Sequence, residues 1–160
     1  MSVQSRTEHS REQPFPPKGE RQHPLVLVVN DTQEILDLFR EILEEEGYDV
    51  VLSSYGFQEV AGIQEIDPDL AILDFIMGGE EQGWQLLQKI RMNRETRDLP
   101  IIVCTGAIRL AKELEGHLTA KGVGLVLKPF DIDDLLVEVG KSLSRFVKSE
   151  QVNSMPIRGT

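Results

Sequence analysis

A chain of 160 residues, 40% hydrophobic and 28% charged, has the size and composition of one globular domain able to bury a core. Its net charge of −10 is concentrated in residues 25–147, where 23 acidic groups outnumber 11 basic ones; such a field repels a phosphate backbone, which argues against nucleic-acid binding, and welcomes a divalent cation or a basic partner surface. The single Cys104 allows no internal disulfide, and neither a bilayer-spanning apolar run nor an apolar leader is present, so no membrane association is expected and the reading is cytoplasmic.

Residues 1–24, with four prolines and many polar side chains, are expected to form a disordered N-terminal tail, and residues 148–160, "KSEQVNSMPIRGT", a flexible C-terminal one. Between them, over 25–147, apolar runs alternate five times with helical patterns. "PLVLVVN" reads as a buried strand, and "TQEILDLFREILEEEG" as a helix with Ile35, Leu38, Phe39, Ile42 and Leu43 on one face and Gly47 as its stop. "YDVVLSS" is a second strand, residues 56–65 a weakly patterned helix, and "LAILD" a third strand after Pro68. "GWQLLQKIRMNRE" spaces Trp84, Leu87 and Ile90 helically before the strand "LPIIVCT"; "RLAKELEGHLTAKG" and "VGLVLK" add a helix and the fifth strand. The final helix, "DIDDLLVEVGKSLSRF", opens on Asp131 as its N-cap, with Ile132, Leu135, Leu136, Val139, Leu143 and Phe146 on one stripe.

Strands that are apolar throughout, alternating with helices, indicate a doubly wound α/β domain: a five-stranded parallel sheet with helices on both faces. In such a sheet the site lies beyond the carboxyl ends of the strands. The first strand ends at Asn30 and Asp31, the third at Asp74, the fourth at Thr105 and the fifth at Lys128. Two carboxylates, an amide, a hydroxyl and an ammonium on one rim suit a hard cation and a phosphoryl group, and a site with few protein oxygens favours Mg²⁺ over Ca²⁺ or zinc. Taken singly, each residue has a plainer use: Asp31 or Thr32 can cap the first helix, Thr105 can be a turn residue, Lys128 a solvated strand end, and His117 a surface side chain. It is their convergence on one edge that points to a site.

In this constellation the chain resembles the response-regulator receiver domains of two-component signalling, over residues 25–147. The match runs through Asn30 and Asp31 for the acidic pair, Asp74 for the phosphoacceptor, Thr105 for the Thr or Ser, and Lys128 with Pro129 in "KPF". The resemblance implies the flavodoxin-like strand order 2-1-3-4-5. It further implies phosphorylation of Asp74 by a partner histidine kinase, a phosphotransfer protein or a small phosphodonor. Mg²⁺ would be held by Asp31, Asp74, the Ile76 backbone carbonyl and, through a bound water, Asn30. Lys128 and Thr105 would contact the phosphoryl oxygens, and the Thr105 movement would be the signal to an unknown downstream protein.

Three departures from the family pattern bear on function. Asn30 replaces an acid and predicts weaker Mg²⁺ binding; Gly78 replaces a proline and predicts a looser loop to Gly83; Leu125 replaces the frequent switch aromatic and predicts a different readout. The alternative is a degenerate receiver that binds partners without phosphorylation, against which the retention of Asp74, Thr105 and Lys128 argues. An enzyme is not expected: an aspartyl-phosphate phosphatase would want a second Asp where Ile76 stands, and a dinucleotide site would want glycines absent from "VVNDTQEIL". The sequence is thus read as a stand-alone receiver, monomeric or weakly dimeric, acting through another protein.

Overall fold

The computed structural model describes residues 15–54, 60–76 and 82–154, with side chains up to residue 144. Five strands, β1 (Leu25–Val29), β2 (Asp49–Ser53), β3 (Leu70–Leu73), β4 (Ile101–Thr105) and β5 (Val123–Leu127), form one parallel sheet in the order β2-β1-β3-β4-β5. The helices are α1 (Gln33–Glu45), α2 (Val60–Ile66), α3 (Gln82–Met92), α4 (Ile108–Ala120) and α5 (Ile132–Ser154). Class, strand number and order agree with the sequence-based expectation.

Period-two alternation sorts the strand side chains between two cores. Leu27, Val29, Ala71, Leu73, Ile101 and Val103 pack against α2, α3 and α4 through Ile63, Leu86, Leu87, Ile90, Ala111 and Leu118. Their neighbours Val26, Val28, Ile72, Ile102 and Cys104 pack against α1 and α5 through Leu36, Phe39, Leu43, Leu135 and Val139. Burial on both faces is why these strands read as unbroken apolar runs.

The helical faces differ from expectation in detail. On α1, Leu36 is buried and Leu38 is 41% exposed. At 100° per residue Leu36 falls just beyond Leu43 at one edge of the apolar stripe while Leu38 lies at the opposite edge, and only the sheet's position decides which edge faces inward. On α5, Leu135 and Val139 are buried whereas Ile132 is 50% exposed. Helix α5 also continues beyond residue 147, to Ser154. Among residues 15–24, expected to lie outside the core, Arg21 is tied to it: its guanidinium donates to Asp69 Oδ2 (3.2 Å), the Ile66 carbonyl (3.3 Å) and the Pro16 carbonyl (2.7 Å). The start of the expected helix 56–65, the loop residues Gly78, Glu80 and Glu81, and the Phe146 side chain lie outside the described residues.

Candidate functional site

Strand register assembles the site. Val29 pairs with Leu73, so the residues that follow them, Asn30 and Asp74, leave the sheet side by side, with Asp31 one position further on. Leu73 pairs with Val103, which carries Thr105 to the same rim, and Thr105 pairs with Leu127, the residue before Lys128. Neighbouring strands lie about 4.8 Å apart, so four strand ends bring these side chains within reach of one small ligand. The Lys128 N–H donates to the Thr105 carbonyl (2.9 Å), extending the β4–β5 ladder to the rim.

Asp74 ends a buried strand because its charge is met there. Lys128 Nζ lies 2.9 Å from its Oδ2, and the Ile76 N–H donates to Oδ1 at 3.2 Å. The Asp74 side chain keeps 13% of its exposure and that of Lys128 24%, enough for a small anion or hydrated cation to approach. A primary ammonium on a flexible stem is a point charge able to re-pair with a neighbouring oxygen, unlike a guanidinium fork. Thr105 is buried, and its Oγ1 accepts the Ala107 N–H at 3.0 Å. That bond occupies an acceptor and leaves the hydroxyl proton to donate.

Asn30 is buried as well, and its Oδ1 accepts the Thr32 N–H at 3.0 Å. It thereby makes the side-chain turn that leads into α1, a task the sequence left to Asp31 or Thr32. Thr32 occupies the N-cap position without a side-chain cap bond, and its hydroxyl donates instead to Asp31 Oδ1 at 3.3 Å. Asp31 is exposed on the rim. Asn30 thus spends one lone pair of its oxygen on the turn and brings no negative charge to the rim.

Just beneath the rim, Cys104 is buried, and its thiol pKa is pushed up to about 12 chiefly by that burial, with Lys128 pulling it down and Asp74 pushing it up. It is a packing residue held as a neutral thiol. His117 lies exposed on α4 and Leu125 is half-buried against the α2–α4 core. Trp84 meets Phe75, the residue after the aspartate, edge-on with centroids 5.8 Å apart.

One residue of the site was missed as such. Gly83, at the start of α3, is buried against the Asp74 peptide, and its N–H donates to the Phe75 carbonyl at 3.0 Å. The sequence marked it only as the junction of a loop and a helix, since nothing in a lone glycine reveals which backbone it will touch.

Among the described residues no three His, Cys, Asp or Glu side chains gather into a metal cluster. Asp31 and Asp74 are the rim's carboxylates, a donor set of hard oxygens too small to enclose an ion. Such a set fits Mg²⁺, which keeps most of its waters and takes one or two carboxylates together with phosphate oxygens.

Comparison with known proteins agrees with this geometry. The model of the response regulator receiver domain family matches residues 26–140. The phosphate regulon regulatory protein PhoB of Rhizobium meliloti is 33% identical over 132 residues, covering 82% of this chain and 57% of that protein. The DNA-binding transcriptional regulator RpaA of Synechocystis is 30% identical over 122 residues, 76% of this chain and 50% of its own length. The chain thus spans about half the length of these curated relatives. Among solved structures, a CheY-like receiver domain protein from Methanospirillum hungatei superposes with a TM-score of 0.69 at 29% identity, covering 80% of this chain and 99% of the other. The response regulator TrrA of Thermotoga maritima, solved with Mg²⁺ and BeF, gives 0.61 at 29% identity, with 74% and 98% covered.

Proposed function

The chain belongs to the response-regulator receiver family, and from that premise we propose that Asp74 accepts a phosphoryl group from a histidine kinase or phosphotransfer protein and that the modified domain signals to a downstream protein. The observation that carries this reading is the Asp74–Lys128 contact of 2.9 Å on a rim shared with Asp31 and Thr105. A scaffold that never met phosphate would have no use for that grouping.

In the proposed reaction an Asp74 carboxylate oxygen bonds to phosphorus while the P–N bond to the donor imidazole breaks and its electron pair returns to the ring. Asp31, Asp74 and the Ile76 carbonyl would hold Mg²⁺, which would supply the charge neutralisation that lets a carboxylate approach an anionic phosphorus. Lys128 begins paired with the nucleophile and follows the negative charge onto the phosphoryl oxygens. The Thr105 hydroxyl, its acceptor side held by Ala107, donates its proton to the same group and draws the β4–α4 loop inward. With Leu125 in the switch position, that movement is reported by displacement of the loop rather than by rotation of an aromatic ring.

We place the protein in the cytoplasm, where a free Cys104 stays reduced; among the described residues no helix is long and apolar enough to cross a membrane. The test is incubation with acetyl phosphate and Mg²⁺ followed by intact-mass spectrometry. One added phosphoryl group is expected, absent without Mg²⁺ and absent in Asp74→Asn. An unmodified mass across a wide Mg²⁺ range would transfer the assignment to a phosphorylation-independent interaction module.

A further inference from the structure

Gly83 differs from two glycines further along the chain's helices, Gly116 and Gly140. A side chain placed on Gly116 or Gly140 would meet nothing within 4 Å. On Gly83 a methyl group would fall onto the Asp74 carbonyl oxygen and press on the Asp74 carbonyl carbon and the Phe75 Cα, at 2.6 and 3.0 Å. Its φ is not in the left-handed region, so what the position requires is space rather than an unusual conformation. The obstacles are backbone atoms, which cannot rotate aside as a flexible side chain does.

We infer that Gly83 is a positioning residue for the phosphoacceptor: by lacking a side chain it lets the first turn of α3 rest directly on the Asp74 peptide, which holds the Asp74 carboxylate in line with Lys128 and Asp31. The inference rests on the reading of Asp74 as phosphoacceptor. Its physical ground is where the structure can yield. Leu73 is the last β3 residue paired on both sides, to Val29 and Val103. Strand β3 itself is therefore fixed between two neighbours, whereas Asp74 and Phe75 lie just beyond the ladder, in the segment that must give when α3 is pushed away. The Gly83 N–H to Phe75 carbonyl bond of 3.0 Å and the edge contact of Trp84 on Phe75 hold the helix to that segment. A shift there moves the carboxylate off contacts of 2.9 Å to Lys128 and 3.2 Å to the Ile76 amide. The Ile76 contact already stands at the long end of the hydrogen-bond range, so a further shift takes it outside that range. Coupling is reciprocal, so an ion bound to the aligned carboxylate must in turn tighten the α3 contact.

The experiment compares the full chain with Gly83→Ala and Gly140→Ala, reading Mg²⁺ affinity by calorimetry, phosphorylation rate with acetyl phosphate, and helix content and thermal midpoint by circular dichroism. Gly140→Ala should stay within about twofold of the parent in both functional readouts, while Gly83→Ala, keeping its helix content, should bind Mg²⁺ and accept phosphate at least about tenfold less well. A folded Gly83→Ala within about twofold of the parent overturns the inference. Amide exchange of Gly83 in the parent protein gives a second answer that needs no variant to fold: Mg²⁺ should slow it, and an unchanged rate overturns the positioning role. If the parent neither binds Mg²⁺ nor takes a phosphoryl group, both this inference and the function it rests on fall; if it does both and Gly83→Ala matches it, only the positioning role falls.

Discussion

Strand β3 has an aspartate at each end, and the two are held in different ways. Asp69, before the strand, pairs with Arg21, whose side chain is 5% exposed, and its Oδ2 also accepts the Leu25 N–H at 2.8 Å. Arg21 in turn satisfies two backbone carbonyls. Both groups in that cluster bond to backbone as well as to each other, and a guanidinium fork once seated has little reason to leave. Asp74, after the strand, meets one amide and one lysine, on a rim where side chains stay part exposed. Its main partner is a single ammonium that loses little by exchanging one oxygen for another. One residue type, five positions apart on the same strand, thus makes a closed structural joint at one end and an exchangeable site at the other. The partner's chemistry and the number of backbone bonds separate the two roles.

If that contrast is right, substitutions at the two ends should separate activity from stability. The largest effect is expected from Lys128→Ala, which should slow phosphorylation by acetyl phosphate about a hundredfold while leaving the thermal midpoint nearly unchanged. At the other end, Asp69→Ala strands the Arg21 guanidinium and the Leu25 amide, and should cost about 2–3 kcal/mol in urea unfolding with phosphorylation intact. Equal loss of phosphorylation in both variants would dissolve the distinction.

Asn30→Asp sharpens it further. The new carboxylate can still accept the Thr32 N–H, so the turn into α1 survives while the rim gains a negative charge. Mg²⁺ affinity should rise about tenfold in a calorimetric titration, and no rise would mean that the Asn30 position does not face the cation. The smallest effect belongs to Cys104. Its thiol titrates near 12 in the folded chain against an ordinary value of 9.0. A raised thiol pKa means that its contribution to stability is present below pH 9 and is lost as pH climbs towards 12. Native protein should therefore resist thiol reagents at pH 8 and react only on unfolding, and Cys104→Ala should flatten the alkaline decline in thermal midpoint.

How much of this was legible beforehand depended on how local the cause was. Strand ends at Asp74, Thr105 and Lys128 could be read because each closes an apolar run, and the run itself marks the strand. On α1 the sequence placed Leu38 on the buried face and passed over Leu36, and the structure reverses the two, since they sit at opposite edges of the apolar stripe and the choice between them is made by the sheet. Asn30 was read as a weakened acid; that its oxygen opens α1 depends on a turn geometry the residue type permits without dictating. Arg21 escaped notice because its partner Asp69 is 48 positions away and its own neighbourhood is rich in proline and charge.

The amino-acid order alone determined the class of fold, the alternation of strands and helices and the residues available at the strand ends, because periodicity and burial are written into each segment by itself. What only the tertiary structure decided is how those ends meet: Lys128 on Asp74, Asn30 turned back to Thr32, Gly83 pressed against the Asp74 peptide and Arg21 locked beneath β3. Each is a contact between segments distant in the chain or a choice among turn geometries. Such contacts follow from strand register and from where a helix comes to rest, quantities that exist only once the whole sheet has formed.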